Sequence, residues 1–578
     1  MLHSRTPFIA AAAGLLLGWS AAAGADDALA ALRSQTLALD LAASRIDAVG
    51  NAGRDGLSVY VGARAQEVWL REVWLQIDDQ PMQHYQYSQR EAEALRGSGL
   101  HLLMTAPLAP GPHRIRAQAA AADVGAHAND ARRRAAVDVS ITRDTAPAEL
   151  ELNWAPGGMV KGSSLKLIPW QRSSDAVPPA ELQQRYQAGT ALDPRLRAAA
   201  FLVATGRHYP AQRLQQQLAS ELPGLSPNEA AVPAGPSPGA ATMYAAYNAL
   251  LGGSGDLAAI DRLGAGEPCD KKPTLLCDQL NTELGYALLA QGEGIKSAAA
   301  FRRVRAPGPQ ASAALLGLGW ALLAPATAAE TGKGEAGAVP VSYGRKPLHE
   351  PRPMKDKERS QAMRTALVPW IEMIGRDPTD PAVQEAQIAI AWAMNELGSE
   401  VQAQDYYNRV IVQLEDLVKR CDKARGELAK QSLASGIVQT APGEAWHWAL
   451  ADRLPDPRWW VLPMAKDMES FYLIPLLQQA SFEARLQALH EAHEMRAALA
   501  SHRAPLEAGS APEAAGLLAG IDGQLVAIDA SIVATGRALD MDALAQIAAT
   551  RLQAQRSLVE ARYGLARMYD RAAEVAAK

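Results

Sequence analysis

The sequence predicts a multidomain, mainly α protein: a small N-terminal antiparallel β-sandwich, then an array of α-helical hairpins, then long C-terminal helices. Three observations predict it. A chain of 578 residues is too long for one ordinary domain. Alanine is used far above its ordinary frequency while aromatics are only 5%, and alanine favours helix because it has no side-chain entropy to lose there. One stretch, 51–155, has a different texture, with β-branched and aromatic runs between Gly, Pro and Asp turn signals. Hydrophobic residues at 48% and charged residues at 21% provide for a buried core and exclude wholesale disorder. A net charge of -5 argues against nucleic acid as a partner, which calls for clustered positive charge.

Residues 1–25 read as a secretory signal. His3 and Arg5 lie in the n-region, an apolar run extends from Phe8 to Trp19, and Ala23-Gly24-Ala25 is a small-x-small cleavage site. An uncleaved anchor is the other reading, but the run is shorter than the ~20 residues that span a bilayer. Cleavage is expected after Ala25, with the mature chain exported to a bacterial periplasm. No other stretch is expected to cross a bilayer, so no membrane insertion follows signal removal.

Residues 26–50 form an amphipathic N-terminal helix, with Leu29, Leu32, Leu37 and Leu39 among alanines. The β-module follows at 51–155. Leu57–Val61, Glu67–Leu70, Val73–Ile77, Leu100–Leu108, His113–Gln118, Val137–Ile141 and Glu149–Leu152 read as strands, and Ser88–Arg96 as a short helical interruption. Asp78-Asp79 and Ala109-Pro110-Gly111-Pro112 supply turns. The segment Leu108 to Ile115, with its Pro-Gly-x-His turn, resembles a hairpin of immunoglobulin-like and PEGA-like envelope modules, which implies a binding or spacer role. Residues 156–195 read as a linker.

Helical hairpins are expected over 196–420, with a Pro-rich loop at 223–239 and a longer one at 324–358. Leu284-Gly285-Tyr286-Ala287 lies in one helix closed by Gly292. Ala298-Ala299-Ala300-Phe301 lies in the next, ended by Pro307 and Pro309, and Leu316-Gly317-Leu318-Gly319-Trp320 in a third. A second case opens at Asp380-Pro381 and runs through Trp392, Gly398, Ala403, Tyr406 and Tyr407. A third echo is Leu558, Ala561, Tyr563, Leu565 and Met568. Small residues at helix crossings, an aromatic between them and a terminating proline resemble the tetratricopeptide repeat. That resemblance implies stacked hairpins with a concave protein-binding groove, its face including Tyr286, Trp320 and Trp392. An irregular α bundle with these residues as core is the competing reading.

Residues 421–477 read as a helix followed by an aromatic-rich irregular segment (Trp446, Trp448, Trp459, Trp460, Phe471, Tyr472). Residues 478–503, 512–538 and 541–576 read as three long helices, with no heptad long enough to fix an oligomeric state.

Chemistry is sparse. Cys269 and Cys277 flank a polar turn, and in an oxidising compartment they are the candidate disulfide. Cys421 is left over and reads as a plain, partly buried thiol. His490 and His493 share a helical face and are the one metal-like pair, but no third ligand is evident. Ser163-Ser164-Leu165-Lys166 matches Ser-x-x-Lys without a helix start to present it. Arg132–Arg134 and the basic run 345–359 read as solvated loops. The expectation is therefore a non-enzymatic exported scaffold that binds a protein partner of the cell envelope, with no catalytic residues, no cofactor and no metal. The alternatives are a metal-dependent envelope enzyme using His490 and His493, or a structural spacer or oligomer built by the C-terminal helices.

Overall fold

A computed structural model describes residues 28–46, most of 56–170, 194–221, 238–324, 356–436 and 469–576. The predicted leader, both Pro-rich loops over most of their length, and Trp446 to Trp460 lie outside the described residues. The chain is mainly helical, with a small β-module near its N-terminus and long helices at its C-terminus.

Helix α1 covers 28–46. The β-module contains β1 (Gly56–Ala63), β2 (Val68–Ile77), β3 (Gln83–Gln86), helix α2 (Gln89–Arg96), β4 (His101–Pro107), β5 (Gly111–Asp123), β6 (Arg133–Arg143), β7 (Ala148–Ala155) and β8 (Ser164–Trp170). Its strands form two four-stranded sheets, ordered β4-β1-β7-β8 and β3-β2-β5-β6. Apolar alternation drives this arrangement: Leu57, Val59 and Val61 of β1 meet Val73, Leu75 and Ile77 of β2 and Leu152 and Trp154 of β7 in one core. Three differences from the expected module stand out. The β1–β7 pairing is parallel, so the first sheet is mixed rather than antiparallel. The two runs around Arg71 are one strand, with a register shift between Leu70 and Glu72 that absorbs the break in alternation. Residues 164–170, read as linker, pair with β7, because Leu165 and Leu167 face the core despite Pro169. Helix α2 is capped as its sequence requires: the Ser88 side chain accepts from the Glu91 backbone N–H, and the Glu91 carboxylate accepts from the Ser88 N–H.

The helical region continues with α3 (Pro194–Ala204), α4 (His208–Glu221), α5 (Pro238–Leu251), α6 (Leu257–Gly264), α7 (Leu275–Ala290), α8 (Gly294–Arg302), α9 (Ala311–Leu323), α10 (Asp356–Ile371), α11 (Pro381–Glu396) and α12 (Glu400–Leu428). After a short turn of helix, α13 (Leu473–Leu477), come α14 (Ala480–Ala508) and α15 (Ala514–Ala576). From α7 to α12 each helix packs on the next, and first helices of successive pairs also touch, α7 on α9 and α9 on α11. Helix α12 buries Tyr407, Val410, Leu414, Leu417, Cys421, Ala424 and Leu428, an alternating three-four spacing that faces Leu539, Ala543, Ile547, Ala554 and Ala561 of α15.

The C-terminus differs from expectation. Residues 514–576 form one uninterrupted helix of 63 residues, not two. Nothing between 538 and 541 breaks it: the residues are Ala, Leu, Asp and Met, and Asp540 is used to accept the Leu433 N–H at 2.7 Å. This helix is also long and apolar enough, by length and composition, to cross a membrane, which overturns the expectation that no later stretch qualifies. The N-terminal helix does not stand apart. Leu37 and Ala43 of α1 pack with Met495 and Leu499 of α14 and Ile521 and Ile528 of α15.

Candidate functional site

The layer formed by α7, α9, α11 and the C-terminal half of α15 is where the predicted groove residues come together. Its helices approach closely because glycines sit under aromatic rings. A Cβ on Gly285 would lie 2.6 Å from the Phe301 ring, one on Gly317 2.2 Å from it, and one on Gly319 2.1 Å from Trp370 Nε1. Gly564 of α15 sits under Tyr407 of α12 in the same way, at 2.6 Å. Tyr286 and Trp320 are buried, each 7% exposed, and so serve as core. The Tyr286 hydroxyl donates to the Ala313 carbonyl at 2.7 Å.

Trp320 is the hub. Its ring centroid lies 4.9 Å from that of Trp370 in an edge contact and 6.2 Å from that of Trp392. Its Nε1–H donates to Glu385 Oε1 at 2.8 Å. Burial drives the Glu385 carboxyl up to about 8, against the lowering effect of the Trp320 hydrogen bond, and the charge of Glu560 on α15 adds to the rise. Half-buried Leu315, Leu318, Leu322 and Trp392 pack against the same apolar cluster as Trp320. The arrangement offers an apolar, aromatic surface with a carboxyl that is protonated at neutral pH. Such a surface can take up apolar side chains and can donate a hydrogen bond from Glu385.

The other residues singled out from sequence are placed as follows. Cys269 and Cys277 are bonded, with Cα atoms 5.5 Å apart, and stand beside Met243 in the core of α5 to α7. Cys421 is buried on α12, where burial raises its thiol to about 11. A thiol held protonated in this way is poorly suited to nucleophilic work. His490 is paired with Glu494 one turn along its own helix at 3.1 Å. Among the described residues no group of three or more His, Cys, Asp or Glu is arranged to hold a metal ion. Ser164 and Lys166 lie in β8, on a strand, and Ser163 is outside the described residues. Arg133 pairs with Asp123 and Arg359 with Glu396. Phe471 and Tyr472 are buried in the core of α12 and α15.

Sequence reasoning missed a set of buried polar joints between distant segments. Glu91 is fully buried and receives hydrogen bonds from Tyr85 at 2.6 Å and Arg207 at 3.0 Å, joining the β-module to the turn before α4. Glu151 of β7 receives Trp170 at 3.0 Å and Arg197 of α3 at 3.3 Å. Arg33 of α1 pairs with Glu491 of α14. The pairs Glu91–Arg207, Glu151–Arg197 and Arg33–Glu491 are 116, 46 and 458 positions apart, so no local motif signals them.

Compared with protein families, curated proteins and solved structures, the chain finds no match.

Proposed function

We propose that this chain is an exported, non-enzymatic scaffold that binds a protein partner of the cell envelope through tetratricopeptide-like helical hairpins. The observation that carries this reading is the contact of alternate helices, α7 with α9 and α9 with α11, with α15 packing on α11 at the end of the row. Stacked hairpins place their first helices side by side in this way, and the resulting layer forms a concave binding face. Small residues under Phe301, Trp370 and Tyr407 add support, since close helix crossing is what such stacking requires. The partner chemistry that fits the Trp392 and Leu318 margin is an apolar peptide segment able to accept a hydrogen bond from Glu385. The β-module supplies a second contact surface, and residues 1–25 supply the address, with cleavage after Ala25.

The test is a photo-crosslinking side chain placed at Leu318 or Trp392, in cells expressing the full chain, with Val412 as the control position. One dominant envelope protein captured at the first two positions and not at the third supports the reading. Recovery of the chain alone at all three positions overturns it.

A further inference from the structure

Helix α15 carries a second surface that the hairpin reading does not use. Val526, Val533, Met541, Leu544, Leu552 and Val559 are between 39% and 70% exposed. At 3.6 residues per turn they fall in one stripe along the helix, on the side away from the buried Ile521, Ile528 and Leu539. The positions between them on that stripe are Ala530, Ala534 and Ala548, with Arg537, Arg551 and Gln555 interspersed. An exposed apolar stripe of this length on a helix marks an interaction surface.

The spacing of the stripe identifies its occupant. The six aliphatic residues follow one another at intervals of seven, eight, three, eight and seven positions, a series that reads the same in both directions about a point between Asp542 and Ala543; the exposed Tyr563 and Tyr569 lie C-terminal to it and have no counterpart in it. In a two-fold interface residue i meets j while j meets i, so this spacing sets apolar residue on apolar residue along the stripe. An antiparallel second copy sets Val526 against Val559, Val533 against Leu552 and Met541 against Leu544, each twice. Charge favours the same direction. Over 514–545 the helix has four Asp and one Arg, and over 546–576 it has five Arg against Glu560, Asp570 and Glu574. Antiparallel pairing lays the acidic half on the basic half, an effect of long-range field only, because Asp522, Asp529 and Asp542 pair with α14 and Arg551 and Arg562 with α12 inside each subunit. The area suffices: from Gly516 to Tyr569 the face runs ~80 Å at about 10 Å width, on the order of 800 Å² per subunit, the size of a stable interface.

We propose that the chain forms an antiparallel homodimer through this face of α15. A bilayer is the competing occupant, since only 17% of the helix's apolar window is buried. Against it, Asp522, Asp529 and Asp542 pair with Arg503, Arg496 and Arg485 of α14, so insertion would carry a row of ion pairs into hydrocarbon. A helix lying on a lipid surface is rich in Lys and Arg on its polar face, and the apolar half of α15 is instead acidic.

The experiment uses purified full chain bearing Val526→Cys or Val559→Cys, oxidised separately and mixed. Cys421 is buried and the other two cysteines are bonded to each other, so the background is low. The expected result is a covalent dimer from the mixture and none from either variant alone, with the unmodified protein dimeric by sedimentation. Val533→Asp, at a site 51% exposed, is expected to weaken the dimer by ~30-fold or more while leaving the circular dichroism unchanged. Cross-linking of Val526→Cys to itself, a monomer at micromolar concentration, or a monomer that floats with phosphatidylethanolamine–phosphatidylglycerol vesicles would each overturn the proposal.

Discussion

The carboxylate of Asp40, in the first helix, accepts a hydrogen bond from His502 Nε2 at 2.8 Å, although 462 positions separate them. The same carboxylate receives the Tyr209 hydroxyl at 2.6 Å and lies 2.7 Å from Arg213 Nε. One buried anion thus ties α1, α4 and α14 together. Burial pushes this carboxyl up, but the hydrogen bonds from His502 and Tyr209 and the charge of Arg213 outweigh it and hold it below its ordinary value of 3.8. A lowered acid stabilises the fold above that value and loses the contribution as pH falls through its folded value. We expect Asp40→Ala to cost about 3 kcal/mol at neutral pH, because it leaves buried donors unanswered. The deficit relative to wild type should shrink below pH 3.8, read by urea melts across pH.

Arg207 answers the fully buried Glu91, so its removal strands a carboxylate. Burial raises the Glu91 carboxyl above its ordinary 4.5 even with Arg207, Tyr85 and Ser88 opposing. A raised acid makes folding favour the protonated form, so stability increases as pH falls through the folded value. Arg207→Ala should cost about 3 to 5 kcal/mol at pH 7 and recover part of it on acidification. A deficit that is flat with pH would show that Arg207 acts by packing alone.

Gly319→Ala tests the close helix crossing. The added Cβ would lie 2.1 Å from Trp370 Nε1, and Trp370 is fully buried and donates to the Leu316 carbonyl at 3.2 Å. Helix propensity favours alanine by about 1 kcal/mol, but overpacking in a closed core costs typically 1 to 3, and here the ring has nowhere to move. A net loss of stability is expected. Trp370→Phe should relieve it, giving a non-additive double-mutant cycle by thermal melts.

Where the sequence was legible, a local physical rule was at work. Runs of β-forming residues such as Val59, Val61, Val73 and Ile77 announced the strands, and Gly317 with Trp320 announced close packing. The parallel β1–β7 pairing was not legible, because strands 85 residues apart in sequence carry no direction in their own patterns. Nor were the Asp40–His502 and Glu91–Arg207 joints, whose partners are set by tertiary folding. The single helix at 514–576 was misread as two because Asp540 and Asp542 look like a break, whereas both are engaged by neighbouring segments. In the candidate site, Trp320 and Trp392 were named from sequence, but Glu385 was not. Burial in the folded protein, with the charge of Glu560 adding to it, is what makes that carboxyl unusual.

Glu385→Gln asks what that carboxyl does. Its folded value of about 8 stands above the ordinary 4.5, with burial the main cause. Below 4.5 the group is protonated in both states and contributes no pH dependence. Between 4.5 and about 8 the unfolded chain is ionised while the folded chain holds its proton, so stability falls as pH rises. Above about 8 the folded protein is ionised too and the loss levels off. Glutamine keeps an acceptor for the Trp320 N–H and never ionises. Glu385→Gln and wild type should therefore melt together near pH 4.5, and the variant should gain steadily until about pH 8. Partner capture gives a second readout. If the protonated carboxyl donates to a peptide acceptor, the glutamine amide can replace it, and capture should persist in the variant. Wild-type capture should weaken above about pH 8, where Glu385 becomes an anion, while capture by Glu385→Gln should not. Equal pH profiles for the two would remove Glu385 from the binding face and leave it as a core acid held by Trp320.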